Sequence, residues 1–312
     1  MPTLNQGPFI EQAIQSVLRQ AGEDSELIVR DALSTDETPA ILGRYGDRIR
    51  WVREPDDGQA DAINRGFADA TGGILCWLNS DDAYLPGALQ RVREAFAQDA
   101  GLAFVYGDAL EIDAAGRILT PNLFTEECDR DRYLNSHNFI CQPTFFFRRS
   151  ALARVGPLRE LRWVLDYEWF GRFFALGLRG RRLPFFLAAN RVHPGTKTNT
   201  GGGARLREIR DVLASRPGGL LTKRKAYVVY HLEWAVKALE QYAAAGRSPT
   251  SLGPLAGRVG ARLATLFLDM VAPRSRADIL ARFQEQIAPR GGTLEELWLD
   301  AANGAADATR RN

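Results

Sequence analysis

Asn79-Ser80-Asp81-Asp82 follows directly on the apolar run Ile74–Leu78 (ILCWL). A continuous apolar run of that length reads as a strand buried on both faces. Two adjacent carboxylates at the end of such a strand are costly unless something neutralises them. A hard divalent cation, Mn2+ or Mg2+, shared with the phosphates of a ligand would do so. The plainer alternative is that Asp81 or Asp82 caps the helix starting at Pro86. Further polar loops carry groups of the same kind. They are Thr3-Leu4-Asn5-Gln6-Gly7, Asp31 with Ser34-Thr35-Asp36, and the run from Asp56 through Gln59 and Asn64 to Gly66. Later in the chain stand Leu165-Asp166-Tyr167-Glu168-Trp169 and Asn190-Arg191-Val192-His193.

The elements that position these residues are legible from periodicity. Ile10, Ala13, Ile14, Val17 and Leu18 recur at helical spacing behind Pro8, so residues 8–20 read as a helix. Strands are expected at 26–30, 49–53, 74–78 and 102–106, with helices from about 39, at 59–70 and at 86–98. That alternation predicts an α/β fold with a parallel, doubly wound sheet. In such a sheet, ligands bind outside the carboxyl ends of the strands. The polar loops named above all follow strand ends and should share one edge. Past residue 107 the rhythm changes to a hairpin (110–113 and 117–120), strands at 144–148 and 183–190, and a helix at 166–177. From Gly201 the strand signals stop, and the remainder reads as helices. A boundary is expected at Gly201-Gly202-Gly203, giving one domain over 1–203 and a helical extension over 204–312.

Composition removes whole classes of function. The chain has 312 residues, 45% hydrophobic and 25% charged, with a net charge of +2, so it is globular and lacks the basic excess of a nucleic-acid binder. The 36 arginines stand against only four lysines, Lys197, Lys223, Lys225 and Lys237. Cys76, Cys128 and Cys141 are far apart and show no zinc-ligand spacing, so a reduced setting is expected. No apolar stretch approaches the roughly 18–20 residues of a membrane span, and Met1-Pro-Thr-Leu-Asn-Gln has no basic leader. The expected location is therefore cytoplasmic, with peripheral contact at the inner face of a membrane as a further expectation. It rests on Lys223-Arg224-Lys225 ahead of a stripe of Val228, Leu232, Ala235, Leu239 and Tyr242. Packing of that stripe on the catalytic domain is the competing account.

Taken together, PTLNQGPFIEQAIQSVLRQ, DALSTDET, EPDDGQADAINRGFADATG, WLNSDD and VYGD, in this order over residues 2 to about 200, resemble the inverting glycosyltransferases of family 2 with the GT-A fold. The resemblance implies a nucleotide-diphosphate sugar donor (UDP-, GDP- or dTDP-linked), a divalent metal, Mn2+ or Mg2+, and a hydroxyl acceptor on a glycan or lipid-linked glycan. It implies that Asp82 binds the metal and that Asp81 meets the donor ribose. By the same resemblance Asp31 belongs to the base-binding loop, where Ala32 replaces a frequent second aspartate. Thr3 and Asn5 approach the nucleotide, and Gln59 and Asn64 lie beside the donor pocket. For Asn64, an amide that braces a loop is an equal alternative. Asp166 takes the place of the catalytic base, with Glu168 as the fallback and a helix N-cap as the structural alternative. His193 takes the place of a metal or diphosphate contact, Lys197 could pair with phosphate, and Gln142 matches a polar position of the acceptor half.

The family's first strand ordinarily precedes the PTLNQ-like motif. Only Met1 stands there, so a gap in the sheet is expected. No QxxRW-like signature occurs, which argues against a processive synthase. The expected reaction is a single displacement at the anomeric carbon with inversion, Asp166 accepting the acceptor's proton. Trp163, Tyr167 and Trp169 are expected to stack on sugar rings. Two rival readings share the paired carboxylates or the pocket: a nucleotidyltransferase, and a non-catalytic nucleotide-sugar-binding subunit. The first usually carries a Gly- and Arg/Lys-rich phosphate loop, which PTLNQGPF is not.

Overall fold

The structure, a computed structural model, describes residues 1–135, 138–197, 202–216 and 273–310. His137, His231, Gly201 and the basic cluster Lys223-Arg224-Lys225 with its apolar stripe lie outside the described residues.

The N-terminal half alternates strands and helices as its periodicity requires. β1 (Pro2–Thr3), β2 (Ile28–Asp31) and β3 (Arg50–Arg53) form a parallel sheet. The crossover helices are α1 (Gly7–Leu18), a short α2 (Thr38–Gly43) and, after β3, α3 (Gln59–Asp69). Ile10 and Ile14 of α1 pack on Val29 and Leu42, all almost fully buried, which is why the helix lies on this sheet.

A second sheet continues with β4 (Ile74–Leu75), β5 (Ala83–Tyr84), β6 (Phe104–Ile112), β7 (Ile118–Pro121), β8 (Phe146–Arg148) and β9 (Gly180–Arg191). Its order is β4-β8-β6-β9-β5, with β7 on the outer part of β6. β6 and β9 run parallel, and the other ladders of this sheet are antiparallel. Among the described residues no ladder joins β1 to β4, so the strands fall into two sheets divided beside β1. A side chain bridges the division, Ser80 Oγ donating to Pro2 O at 3.1 Å. The β6–β9 register shifts at Gly107–Ala109. A Cβ on Gly107 would stand 2.7 Å from Phe185 O, so only glycine admits this close approach.

The remaining helices cover the second sheet. α4 (Ala88–Gln98), α5 (Arg130–Asn135), α6 (Arg149–Val155) and α7 (Leu165–Ala175) are followed by helices at Gly202–Ser215, Pro273–Gln286 and Leu294–Arg310. An aromatic core holds α7 to the sheet. Trp77, Phe104, Phe145, Phe147, Trp169, Phe170 and Phe173 pack there with ring centroids 4.1–6.3 Å apart. Truncating one such ring to alanine costs about 3–5 kcal/mol. Ile209, Val212 and Leu213 of the Gly202–Ser215 helix join that core. Ile279, Ile287, Leu294 and Leu297 cover Leu110, Ile112, Phe186 and Ala189. Asp108, fully buried on β6, accepts from Arg182 at 2.6 Å and from Arg282 of the Pro273–Gln286 helix at 2.8 Å. No helix among the described residues is long and apolar enough to cross a membrane.

Candidate functional site

The loops after β1 and β4, the N-terminus of α3, the start of α7 and the end of β9 converge on a cleft of about 740 Å³. Thr3, Gln59, Asp81, Asp82, Asp166 and Lys197 all line it.

The apolar run that leads to the aspartates is extended only at Ile74–Leu75, and the chain then turns, Asp82 N donating to Asn79 O at 3.1 Å. That turn delivers Asp82 into the interior, 3% exposed. Its Oδ1 accepts the Arg191 N–H at 2.9 Å and its Oδ2 accepts from Asn79 Nδ2 at 3.2 Å. Burial, and then the neighbouring Asp81 carboxylate, push the Asp82 pKa well above the ordinary carboxylate range. Asp81 is more open, and its Oδ2 lies 3.2 Å from His193 Nε2. The Gly195 N–H points at His193 Nδ1, which leaves the ring proton on Nε2 towards Asp81. Arg191, 2% exposed, ties the turn in place, its Nε donating to Asp81 O and its Nη1 to Asp113 O, both at 2.8 Å.

A chain of amides runs along the same wall. Lys197 Nζ donates to Gln59 Oε1 at 2.7 Å, and Gln59 Nε2 to Asn79 Oδ1 at 2.8 Å. Asn79 Nδ2 also reaches Gln142 Oε1 at 2.9 Å, and Gln142 Nε2 donates to Trp77 O at 2.8 Å. Burial and then the nearby Arg162 cation lower the Lys197 pKa from its ordinary value. Sequence reasoning quoted Asn79 only as part of a motif. Its place between Gln59, Asp82 and Gln142 depends on contacts across 20 and 63 residues, for which the chain offers no local signal.

The other residues singled out from sequence divide between cleft and scaffold. Thr3 is 5% exposed, lines the cleft and has an Oγ1 without a hydrogen-bond partner. Asn5 sits at φ 53°, a conformation asparagine tolerates, and its Oδ1 accepts the Thr35 N–H at 2.8 Å. Asp31 is 1% exposed, and its Oδ1 accepts the Ser34 N–H at 2.9 Å while its Oδ2 lies 3.3 Å from Arg53 Nε. Both therefore hold the loop after β2 and do not line the cleft. Asn64 brackets Leu158, donating to its carbonyl at 2.9 Å and accepting from its N–H at 2.8 Å.

Asp166 stands in the first turn of α7 and lines the cleft. Glu168, two residues on, is buried and bound to Arg172 through two hydrogen bonds of 2.9 and 2.6 Å. Trp163 lines the cleft as expected for a sugar platform. Trp169 does not. It is fully buried in the aromatic core, its Nε1 donating to Gly156 O at 2.9 Å. Tyr167 lines the cleft, although its ring is buried under the Arg216 guanidinium 3.9 Å away. The two rings stand about 200° apart on α7, and both are buried because the helix is covered on nearly every side, eight of its 11 residues being buried.

Asp81 and His193 fit as two neighbouring ligands of a hard divalent cation. Neighbouring ligands of an octahedral ion with bonds of about 2.1 Å lie about 3 Å apart, and Asp81 Oδ2 and His193 Nε2 are separated by 3.2 Å. A cation there would also offset the charge that burial disfavours on Asp82. Among the described residues no group of three or more histidine, cysteine, aspartate or glutamate side chains is placed to hold a metal ion. An ion at this place would take its remaining ligands from a substrate's phosphates and water.

Divided α/β sheet, covering helices and one acidic cleft at the strand ends together define the GT-A class of glycosyltransferase fold. Staphylococcus aureus TarS 1–349, solved in complex with UDP-GlcNAc, superposes with a TM-score of 0.55 at 16% identity, covering 97% of this chain and 87% of that one. The mannosyltransferase PcManGT of Pyrobaculum calidifontis, solved with GDP-Man and Mn2+, gives 0.54 at 19% identity, covering 93% and 86%. At such identities the likeness is one of fold. Residues 1–156 match the family model for glycosyl transferase family 2, and the chain belongs to that family. A PGL/p-HBAD biosynthesis glycosyltransferase of Mycobacterium bovis is 33% identical over 174 residues, 54% of this chain. An uncharacterized glycosyltransferase of a Nostoc species is 29% identical over 172 residues, 51% of this chain. The chain spans 65% of the first relative's length and 52% of the second's.

Proposed function

We propose that this chain transfers a sugar from a nucleotide-diphosphate donor (UDP-, GDP- or dTDP-linked) to a hydroxyl of a glycan or lipid-linked glycan, with inversion and with Mn2+ or Mg2+. The observation that carries the reading is the convergence of Asp81, Asp82 and Asp166 on one cleft. The donors held by the two structural neighbours, UDP-GlcNAc and GDP-Man, support the donor class, and the Mn2+ in one supports the metal. In this reading residues 1–203 carry the transfer chemistry, the 204–312 extension supports them, and the protein works in polysaccharide or cell-envelope synthesis at the cytoplasmic side of a membrane.

Asp81, Asp82 and His193 would hold the ion, whose bound charge offsets the negative charge growing on the leaving diphosphate. His193 would ligate through Nε2 in the tautomer that carries the ring proton on Nδ1, which gives up the Gly195 N–H contact. Lys197 and the Gln59–Asn79 amides keep that wall in register. The Thr3 hydroxyl is a ready polar contact for the nucleoside. On the acceptor side, the Asp166 carboxylate takes the proton of the incoming hydroxyl as its oxygen bonds to the anomeric carbon. The bond from that carbon to the phosphate oxygen breaks, and the nucleoside diphosphate leaves with its electron pair. Because attack and departure occur on opposite faces, an α-linked donor yields a β-product. Glu168 is held by Arg172 and does not line the cleft, which favours Asp166 as the base.

The test uses UDP-GlcNAc and GDP-Man with Mn2+, water serving as acceptor, and proton NMR of the first sugar released. Early β-anomer from wild type, with Asp166→Asn slower by about 10²–10⁴-fold, supports the reading. Early α-anomer contradicts inversion, and an active Asp166→Asn contradicts the base.

A further inference from the structure

The wall of the cleft that leads into Asp166 is built by residues 160–164, part of a segment over 157–164 that belongs to neither helix nor strand. Backbone N–H groups in such a segment have no ladder to join, and buried ones need partners from elsewhere. Two side chains distant in sequence provide them. Asn64 takes both the N–H and the carbonyl of Leu158. Glu208, on the Gly202–Ser215 helix, takes three consecutive N–H groups on one carboxylate: Arg162 at 2.7 Å, Trp163 at 2.8 Å and Val164 at 3.1 Å. Val164 is the residue immediately before α7, and no side chain of its own caps that helix.

The helix that carries Glu208 is itself fixed. Ile209, Val212 and Leu213 are buried in the aromatic core beneath α7. Arg216, 8% exposed, donates to Tyr167 O at 2.9 Å, to the Tyr167 hydroxyl at 2.8 Å and to Tyr133 O at 3.1 Å. Tyr167 is the residue next to Asp166. Glu208 therefore grips the chain just before Asp166 and Arg216 grips it just after. Neither residue lines the cleft. A carboxylate is suited to this task, because an anion can accept several N–H bonds at once and charge-assisted bonds are the stronger ones.

We infer that Glu208 and Arg216 are positioning residues for Asp166 and the Arg162–Trp163 wall, so that the helix following the sheet sets turnover without setting nucleotide affinity. The catalytic half of this inference rests on the proposed role of Asp166. The anchoring half stands on geometry alone. In the proposed reading the donor nucleotide is held by the other walls of the cleft, to which Glu208 is linked through its charge near Lys197. Misplacing a catalytic group by about 1 Å can cost about 10²-fold in rate.

The experiment compares full-length wild type, Glu208→Ala and Glu208→Gln. Hydrogen exchange read on peptides spanning 158–168 reports the anchor. Calorimetry with UDP and GDP in Mn2+ reports nucleotide affinity, and nucleotide release from UDP-GlcNAc and GDP-Man reports turnover. In Glu208→Ala the amides of residues 162–164 should exchange about tenfold faster or more. Turnover should fall by about 10–10²-fold, while nucleotide affinity stays near wild type. Glu208→Gln keeps one acceptor oxygen and should fall between, and it serves in place of the alanine variant if that fails to fold. Unchanged amides overturn the anchor. Freed amides with undiminished turnover, or nucleotide affinity lost in parallel, overturn the positioning role. If wild type neither binds nor turns over these probes while the amides still respond, the donor reading and the catalytic half fail together and the anchor stands.

Discussion

Asp166 and Glu168 both lie in the first turn of α7, and either could serve as the base on sequence grounds. Their surroundings separate them through the variant Glu168→Gln. The Glu168 and Arg172 side chains are 7% and 21% exposed, joined by bonds of 2.6 and 2.9 Å, with Arg159 3.4 Å away. Removing one partner of a buried pair costs about 3–5 kcal/mol when the other is left bare. Arg172 would not be bare, since it also donates to Val155 O at 3.2 Å and Pro157 O at 2.8 Å. The glutamine also keeps one carbonyl oxygen. The expected loss is therefore about 2–3 kcal/mol. A 312-residue chain unfolds with an entropy of roughly 0.65 kcal/mol/K, so the Tm should drop by about 3–5 °C. Turnover measured well below that temperature should stay near wild type. Differential scanning calorimetry beside a nucleotide-release assay decides the matter. An unchanged Tm with abolished turnover would refute the reasoning and make Glu168 the base.

Two other perturbations bear on the metal-side wall. Because burial and then Asp81 raise the Asp82 pKa, the folded state holds that proton longer than the unfolded chain. This group's share of stability is full below the unfolded carboxylate value of about 4 and is lost as pH rises through the raised one. The Tm of wild type minus that of Asp82→Asn should thus fall as pH rises from about 4, and saturating Mn2+ should flatten the fall; parallel Tm curves without metal would contradict it. Asn79→Ala removes contacts to Gln59, Asp82 and Gln142, so about 2–3 kcal/mol of stability should go, with weaker Mn2+-dependent nucleotide binding. A denaturant titration showing a loss under about 1 kcal/mol would refute the network's weight.

The fold was largely legible because apolar periodicity is a local signal. Ile10, Ile14 and Val17 announce α1, and the ILCWL run announces an element ending at the aspartates. What the chain concealed were choices between faces and long-range partners. Trp169 reads as a sugar platform by type, yet it is buried in the aromatic core, and the Tyr167 ring is buried although that residue lines the cleft. Asp31 reads as a donor contact by position, yet its carboxylate satisfies the backbone of the loop at residue 34, while Asn64 takes the loop-bracing alternative at residue 158. The Arg191–Asp82 and Glu208–Trp163 contacts join residues 109 and 45 apart, which no local pattern records.

The central claim is that the Asp81–Asp82–His193 wall binds a nucleoside diphosphate through a divalent cation. Calorimetry with UDP and GDP, with and without Mn2+, on wild type and Asp82→Asn tests it most directly. The account predicts binding of at least one nucleotide that requires Mn2+ and disappears in Asp82→Asn while the Tm shows an intact fold. Binding of equal strength without Mn2+, or unchanged in Asp82→Asn, would contradict it.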